Sequence, residues 1–487
     1  MKKILIFLAV ATFLVSCHKD LEPEIYNTIS PTTFPKNKSD VSAAVTSMYS
    51  SIRGDGWGQT FSLVDHAYNA VSDMSTDIFN TRWGGQWIAL KTFGWNEFTG
   101  ETAWIYGNRY KDISRAILTI DRIKDVDMDQ DLLNRYIGEI KAIQGWMAWL
   151  IYDLYGPVGI PDLEVLKNPL EEVILERPSN ESMVNYIETI MNEAIAVLPE
   201  SYESNDWGRV TKGTAMMVLL KLYMHEKNWG KAEETARDII SLGQYQLQDD
   251  YNYVFSIDGQ RNNEIIHAAP SSHESGNPWH AHVMPPNMDS DKPNKEQWGG
   301  YRMRWAFYDT FEPQDERLNS VISEYVGTDG IEYKRGDANL EDDAGAIPLK
   351  YEIDPGAVTV FSEIDIVIFR YSDVLLSLSE AIANKNGAPN QECMDLINMV
   401  RNRAGLDNLD LVDYASLGAF NDMILLERGH ELFCEGGRRQ DLIRHGKYIE
   451  FGKTIPGNQA GDHKVLFPIP QWAINEGKGI IKQNDGY

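Results

Sequence analysis

Apolar residues that recur every three or four positions set the first limit on this chain. Tyr106, Tyr110, Ile113, Ile117, Ile120 and Ile123 keep that step, and so do Leu133, Tyr136, Ile140, Ile143, Met147, Leu150 and Leu154. A period near 3.6 places each set on one face of a helix. After Ala142 the second segment becomes apolar all round (Trp146, Trp149, Ile151, Tyr152), which predicts that its end is buried. Residues 213–243 read as two helices joined near Lys227 and Asn228, with Asn228 as a cap for the second. Residues 371–405 repeat the plan, with Gly387-Ala388-Pro389 as the break. Antiparallel helix pairs of about 34 residues characterise tetratricopeptide repeats. The expected fold class is therefore mainly α, a tetratricopeptide-repeat-like scaffold of helical pairs with minor β. Strand signals are few: 359–361 and 364–369.

Two long stretches, roughly 54–100 and 244–369, break the periodicity. Loops of that length in a compact domain are functional or disordered, and these hold too many aromatics for disorder. They are expected to wrap the scaffold as ordered irregular segments. Of 13 tryptophans, Trp57, Trp83, Trp87, Trp95 and Trp104 fall in or beside the first stretch and Trp279, Trp298 and Trp305 in the second. An indole offers a flat face and one N–H donor. A sugar ring offers a flat C–H face and a rim of hydroxyls, so stacking covers the face while planar polar side chains take the rim. Residues 72–98 supply such groups in Asp73, Asp77, Arg82, Trp83, Trp87 and Trp95, and Gly84-Gly85 could bring two of the indoles to one ligand. Residues 277–305 add Trp279, His280, Trp298, Tyr301 and Trp305. The competing reading is that these indoles fill the core beneath the loops.

The N-terminus predicts location. Lys2 and Lys3 precede Ile4–Ser16, an apolar run of 13 residues. A bilayer span needs about 20, whereas a secretory apolar core runs about 7–15. Leu14-Val15-Ser16-Cys17 is a lipobox. Residues 1–16 are read as a lipoprotein signal peptide, Cys17 as the acylated new N-terminus, and 17–36 as the lipidated tether. A plain secretory signal with an incidental cysteine is the alternative. The formal charge of −27 repels nucleic acid and anionic headgroups. Membrane contact is thus expected through lipid, with no nucleic-acid partner. The remaining cysteines, Cys393 and Cys434, lie in helix-like segments and are expected as buried free thiols.

Chemical motifs are mostly excluded. His267, His273, His280 and His282 fall within 16 residues, yet no further ligand has zinc spacing. Asp289-Ser290-Asp291 with Glu296 suggests Ca2+ only faintly, because the EF-hand spacing and glycine are missing. Residues 446–454 have five residues between glycines where a phosphate loop has four. There is no serine-hydrolase elbow and no zinc-protease helix. A glycosidase needs only two suitably placed carboxylates, and with 72 acidic residues that rival stays open.

These residues together resemble the SusD/RagB outer-membrane lipoproteins of Bacteroidota. The resemblance runs from the lipobox and "DLEPE" through Phe34, Asp40, Tyr49, "YDLYGPVGIP" (152–161), 208–236 and "NNEIIHA" (262–268). It is strongest in "FRYSDVLLSLSEAI" (369–382), "INMVRNRAGL" (397–406), "LLERGHELFCEGGRRQDLIRHG" (425–446), "LFPIP" (466–470) and "QNDGY" (483–487). The chain departs from the usual pattern at 437–440 and at "QGWMAW" (144–149). The resemblance implies one SusD-like domain over 37–487, with an N-terminal part of about 37–243 and a C-terminal part of about 244–487. It implies a surface lipoprotein that binds oligosaccharide without catalysis and passes it to a SusC-like TonB-dependent transporter, with no cofactor. A peptide-capturing RagB-type protein is the main rival, and a surface glycosidase or a purely structural barrel partner are others. The alternating charges Glu427, Arg428, Glu431, Glu435, Arg438, Asp441 and Arg444 are read as buried framework at helical spacing. The acidic chain suits a neutral glycan better than a sulfated one, unless Arg302 and Arg304 form a local basic patch.

Overall fold

The computed structural model describes residues 34–53, 60–61, 67–290 and 296–487. The signal, the lipobox and Cys17 lie outside the described residues, as does Trp57.

The periodic segments are helices, and each packs on the next. They are α1 (Lys38–Met48), α2 (Gly100–Ile123), α3 (Gln130–Tyr155), α4 (Asn180–Ile195), α5 (Lys212–His225), α6 (Trp229–Ser241), α7 (Tyr371–Asn386) and α8 (Gln391–Arg403). Packing runs α2 on α3, α3 on α4, α4 on α5, α5 on α6, α6 on α7 and α7 on α8. The stack thus continues across residues 242–370, which leave it as one excursion between α6 and α7. This is the mainly α, repeat-like scaffold that the periodicity predicts.

Local chemistry sets the joints. Asn228 caps α6 by accepting the Lys231 N–H at 3.3 Å. Gly387 ends α7 in the left-handed region, φ 76°, where glycine carries no Cβ penalty. The end of α3 is buried all round, with Trp146 and Trp149 in the interior. Gly145 lets α4 press onto it: a Cβ there would sit 2.4 Å from Met191 Sδ. The departure at 144–149 is therefore a packing solution.

Strands are short. β1 (Phe79–Thr81) pairs antiparallel with β3 (Tyr301–Met303), β2 (Ile265–Ala269) with β6 (Ile366–Arg370), and β4 (Glu324–Val326) with β5 (Glu332–Lys334). Residues 359–361 do not form the predicted strand.

The C-terminal charge motif is buried, as its spacing suggested, but it is not one helix. α9 (Leu417–Leu432) ends, Cys434 and Gly436 take φ of 67° and 78°, and α10 (Arg438–Arg444) restarts the helix. Cys434 therefore sits in the break and not in a helix. Cys434 and Cys393 are both buried free thiols.

Carboxylates and guanidinium groups tie α7, α9 and α10 together through this motif. Arg428 meets Asp373 at 3.0 Å and Asp441 at 2.9 Å, and Arg444 meets Glu380 at 2.6 Å. Arg317 bridges Glu427 at 2.7 Å and Glu431 at 3.3 Å. Arg370 and Arg403 close on Glu431 from the other side. Neighbouring cations hold the carboxyls of Glu380 and Glu431 well below the usual range, against the opposing effect of burial. A buried pair adds little net stability, but removing one partner strands a charge.

Candidate functional site

One strand pair and one further backbone hydrogen bond bring the two tryptophan-rich stretches together, and two more order the second stretch. Thr81 pairs with Tyr301 in the β1–β3 register, and Arg82 N–H donates to the Gly300 carbonyl at 2.8 Å. Gly300 N–H donates to His282 O, and Trp298 N–H to Ala281 O, each at 2.7 Å. The short helix Trp279–Val283 is thereby tied to residues 298–300, and both to the segment that carries Trp83.

The result is a cluster of five rings. Trp83 lies 5.8 Å from Trp87, 5.0 Å from Tyr301 and 5.5 Å from His282, centroid to centroid. His282 stacks on Tyr301 at 5.3 Å with 14° between planes, and Trp298 meets His282 edge-on at 5.1 Å. Tyr301 and Trp87 are buried and form the floor. Trp83 and Trp298 are half-buried and form the accessible edge. Gly300 makes this packing possible, because a Cβ there would fall 2.0 Å from the Trp83 ring.

Polar groups border the edge. Arg82 is exposed, with its Nη1 donating to Asn339 Oδ1 at 2.5 Å and its Nη2 meeting Glu341 at 3.0 Å. His282 contacts the Pro278 carbonyl through Nδ1 at 2.9 Å. A carbonyl only accepts, so Nδ1 carries the proton and Nε2 is an acceptor. Burial pushes the His282 pKa down to about 4, so the ring is neutral at physiological pH.

Other candidates occupy different places. Trp95 is 1 % exposed, and its Nε1 donates to the Tyr487 hydroxyl at 2.8 Å. Trp279 donates to Pro348 O at 2.9 Å and Trp305 to Glu341 O at 3.1 Å, both from buried rings. With faces covered and N–H groups satisfied internally, these three fill space beneath the loops and offer no stacking surface. Asp73 is buried and accepts Gly436 N–H at 2.9 Å, while Asp77 pairs with Arg438 at 2.7 Å. Both fasten the first loop to α10 and do not face the ring cluster's edge. His280 is buried too, and its neighbour-but-one His282 is the histidine in the cluster. Asn339 and Glu341 were missed because nothing in sequence links them to Arg82, more than 250 positions away.

Arg302 and Arg304 do not make a surface basic patch. Arg302 is fully buried and donates to Val283 O, Tyr301 O and Asn339 O, with burial pulling its pKa down to about 9. Arg304 is half-buried over the Phe451 ring. Among the described residues no group of three or more His, Cys, Asp or Glu side chains converges as a metal site, and Asp291 lies outside them. No helix among the described residues is long and apolar enough to cross a membrane.

Residues 351–487 match the model of the SusD family. Over nearly its whole length the chain is similar to SusD-like protein P25 of Formosa agariphila, at 24 % identity across 99 % of this chain and 98 % of that one. It is 22 % identical to the starch-binding protein SusD of Bacteroides thetaiotaomicron, across 82 % of this chain and 81 % of that one. Its fold is similar to that of surface glycan-binding protein A from Bacteroides thetaiotaomicron in complex with laminarihexaose. The TM-score there is 0.76 at 21 % identity, covering 92 % of this chain and 100 % of the other. The C-terminal segment that holds the ion-pair framework thus matches the SusD family's model, and over nearly its whole length the chain is similar to SusD-like proteins in sequence and in fold.

Proposed function

We propose that this chain is a surface lipoprotein that captures oligosaccharide on the Trp83–Trp298 edge and hands it, uncleaved, to a SusC-like TonB-dependent transporter. The observation that carries the reading is the convergence of two chain-distant, tryptophan-rich loops on one ring cluster whose edge reaches solvent. Buried rings beneath it hold the outer indoles in place, so little side-chain entropy is lost when a sugar stacks. Arg82, exposed and held in place by Asn339 and Glu341, supplies a planar guanidinium for ring hydroxyls. With Arg302 and Arg304 inside and a net charge of −27, a neutral glycan is the favoured ligand class.

Relatives of similar length include a starch-binding protein and a laminarihexaose-bound one, which supports glycan over peptide. The lipobox at Cys17 places the tether in the outer membrane in this reading, as one SusD-like domain over 37–487.

A glycan array probed with the wild type, Trp83→Ala and Trp298→Ala tests the reading. Retention of a neutral glycan by the wild type, weakened in both variants, supports it. Retention of peptides alone, or release of reducing ends from bound polysaccharide, overturns it.

A further inference from the structure

The most exposed indole among the described residues belongs to neither tryptophan-rich stretch. Trp472, in the short helix Gln471–Glu476, is 43 % exposed. It forms one wall of an open surface cleft. The other wall is α2: Tyr106 meets Trp472 edge-on at 6.0 Å and stacks with Tyr110 at 6.4 Å, 12° between planes. Ile481 and Leu175 line the cleft as well.

Its polar groups point to a ligand. Tyr106 is 5 % exposed, yet its hydroxyl has no protein hydrogen-bond partner among the described residues, and neither has that of Tyr110. Buried Tyr68, Tyr155 and Tyr251, by contrast, spend theirs on Asp153, Thr102 O and Glu431 O. A phenol whose ring is buried and whose hydroxyl is unspent at the wall of a cleft is poised to donate into it. Burial keeps both phenols protonated, with Tyr110 pushed up to about 12 and Tyr106 further. Glu476 is exposed at the rim and forms no ion pair among the described residues, so its carboxylate is a free acceptor. Arg177, also in the lining, spends three of its five N–H donors on the carbonyls of Pro157, Tyr155 and Lys482. An anion would therefore meet a bare carboxylate and a guanidinium already committed to three carbonyls. A hydrocarbon side chain would leave phenols and carboxylate unmatched. A neutral sugar satisfies all three kinds of surface: C–H face on indole, hydroxyls given to Glu476 and received from the phenols.

We propose that the Trp472–Tyr106–Tyr110 cleft is a second binding subsite for neutral carbohydrate, separate from the Trp83–Trp298 edge. Gln471 N–H donates to Glu97 O at 3.0 Å, which fastens this helix to the end of the segment that carries Trp83. Both sites then serve one polymer, and a second contact raises retention of long chains through effective concentration. The inference rests on the glycan reading above, and the test separates the two.

The full chain is labelled with 5-fluorotryptophan, and the resonances of Trp83, Trp298 and Trp472 are assigned with the three single Phe variants. Laminarihexaose and maltohexaose are the probes, followed by retention on polysaccharide-loaded gels. The expected result is that the Trp472 resonance shifts with a hexasaccharide, and that Trp472→Phe lowers gel retention several-fold with an unchanged melting temperature. Movement of Trp83 and Trp298 with Trp472 unmoved overturns the second subsite alone. No movement of any of the three with either probe overturns both readings for these glycans.

Discussion

The α9–α10 framework and the loop ring cluster differ in how their side chains meet solvent. In the framework every carboxylate of the motif is consumed internally: Glu431 alone accepts from Arg317, Arg370 and Arg403. In the cluster, Trp83 and Trp298 are only half-buried and Arg82 is exposed. The contrast separates two uses of costly residues. Buried, paired groups specify one arrangement of helices, and groups at the half-buried edge are held where something outside the chain can reach them.

The largest effect that would sharpen this contrast is in the framework. Glu431→Ala leaves three guanidinium groups facing a vacancy, and removing one partner of a buried pair costs about 3–5 kcal/mol. Chemical denaturation should show that loss, while glycan affinity in the surviving folded protein stays within about twofold. Next, Gly300→Ala drives a Cβ into the Trp83 ring. Overpacking costs about 1–3 kcal/mol, and here displacement of Trp83 should also reduce glycan affinity at least as much as either single indole loss. Calorimetric titration beside a melting curve separates the two effects.

Trp298→Ala should weaken glycan binding by about 1–3 kcal/mol, by analogy with base stacking on aromatic side chains. It should move the melting temperature little, because the ring is only half-buried. Comparable losses of stability and binding would break the comparison.

Two pH effects bear on the same comparison. Burial raises the Asp73 carboxyl to about 7. An unfolded aspartate releases its proton near pH 3.9, so between about pH 4 and pH 7 the folded state holds one more proton than the unfolded state. Stability attributable to Asp73 therefore falls as pH rises through that window. The stability difference between wild type and Asp73→Asn, followed by denaturation at several pH values, should shift steadily in favour of the variant from pH 4 to pH 7 and level off above it. Glycan affinity, by contrast, should be flat from pH 5 to pH 8, because His282 takes up its proton only near pH 4.

The helices were legible because their evidence is local. Periodicity in 106–123 and 133–154, the Asn228 cap and the Gly387 stop each lie within a few residues of the structure they cause. The framework motif was legible as buried charge but not as a broken helix, since the left-handed turn at Cys434 carries no composition signal. The candidate site was half legible. Tryptophan density marked two loops that converge in space, and Trp83 and Trp298 lie at the edge of their ring cluster, but Trp95, Trp279 and Trp305 went inside because each found an internal acceptor. Which indole is covered depends on contacts across hundreds of residues, such as Arg82 N–H with Gly300 O, and no window of sequence reports those. Trp472 escaped notice because it stands alone in the chain and acquires Tyr106 and Tyr110 only in space.

The most direct test is a crystal structure of this chain grown with a neutral oligosaccharide that it binds. The account predicts a pyranose ring lying flat on Trp83 or Trp298, with its hydroxyls on Arg82, Asn339 or His282. Sugar density elsewhere, with both indoles and their polar border untouched, would contradict it.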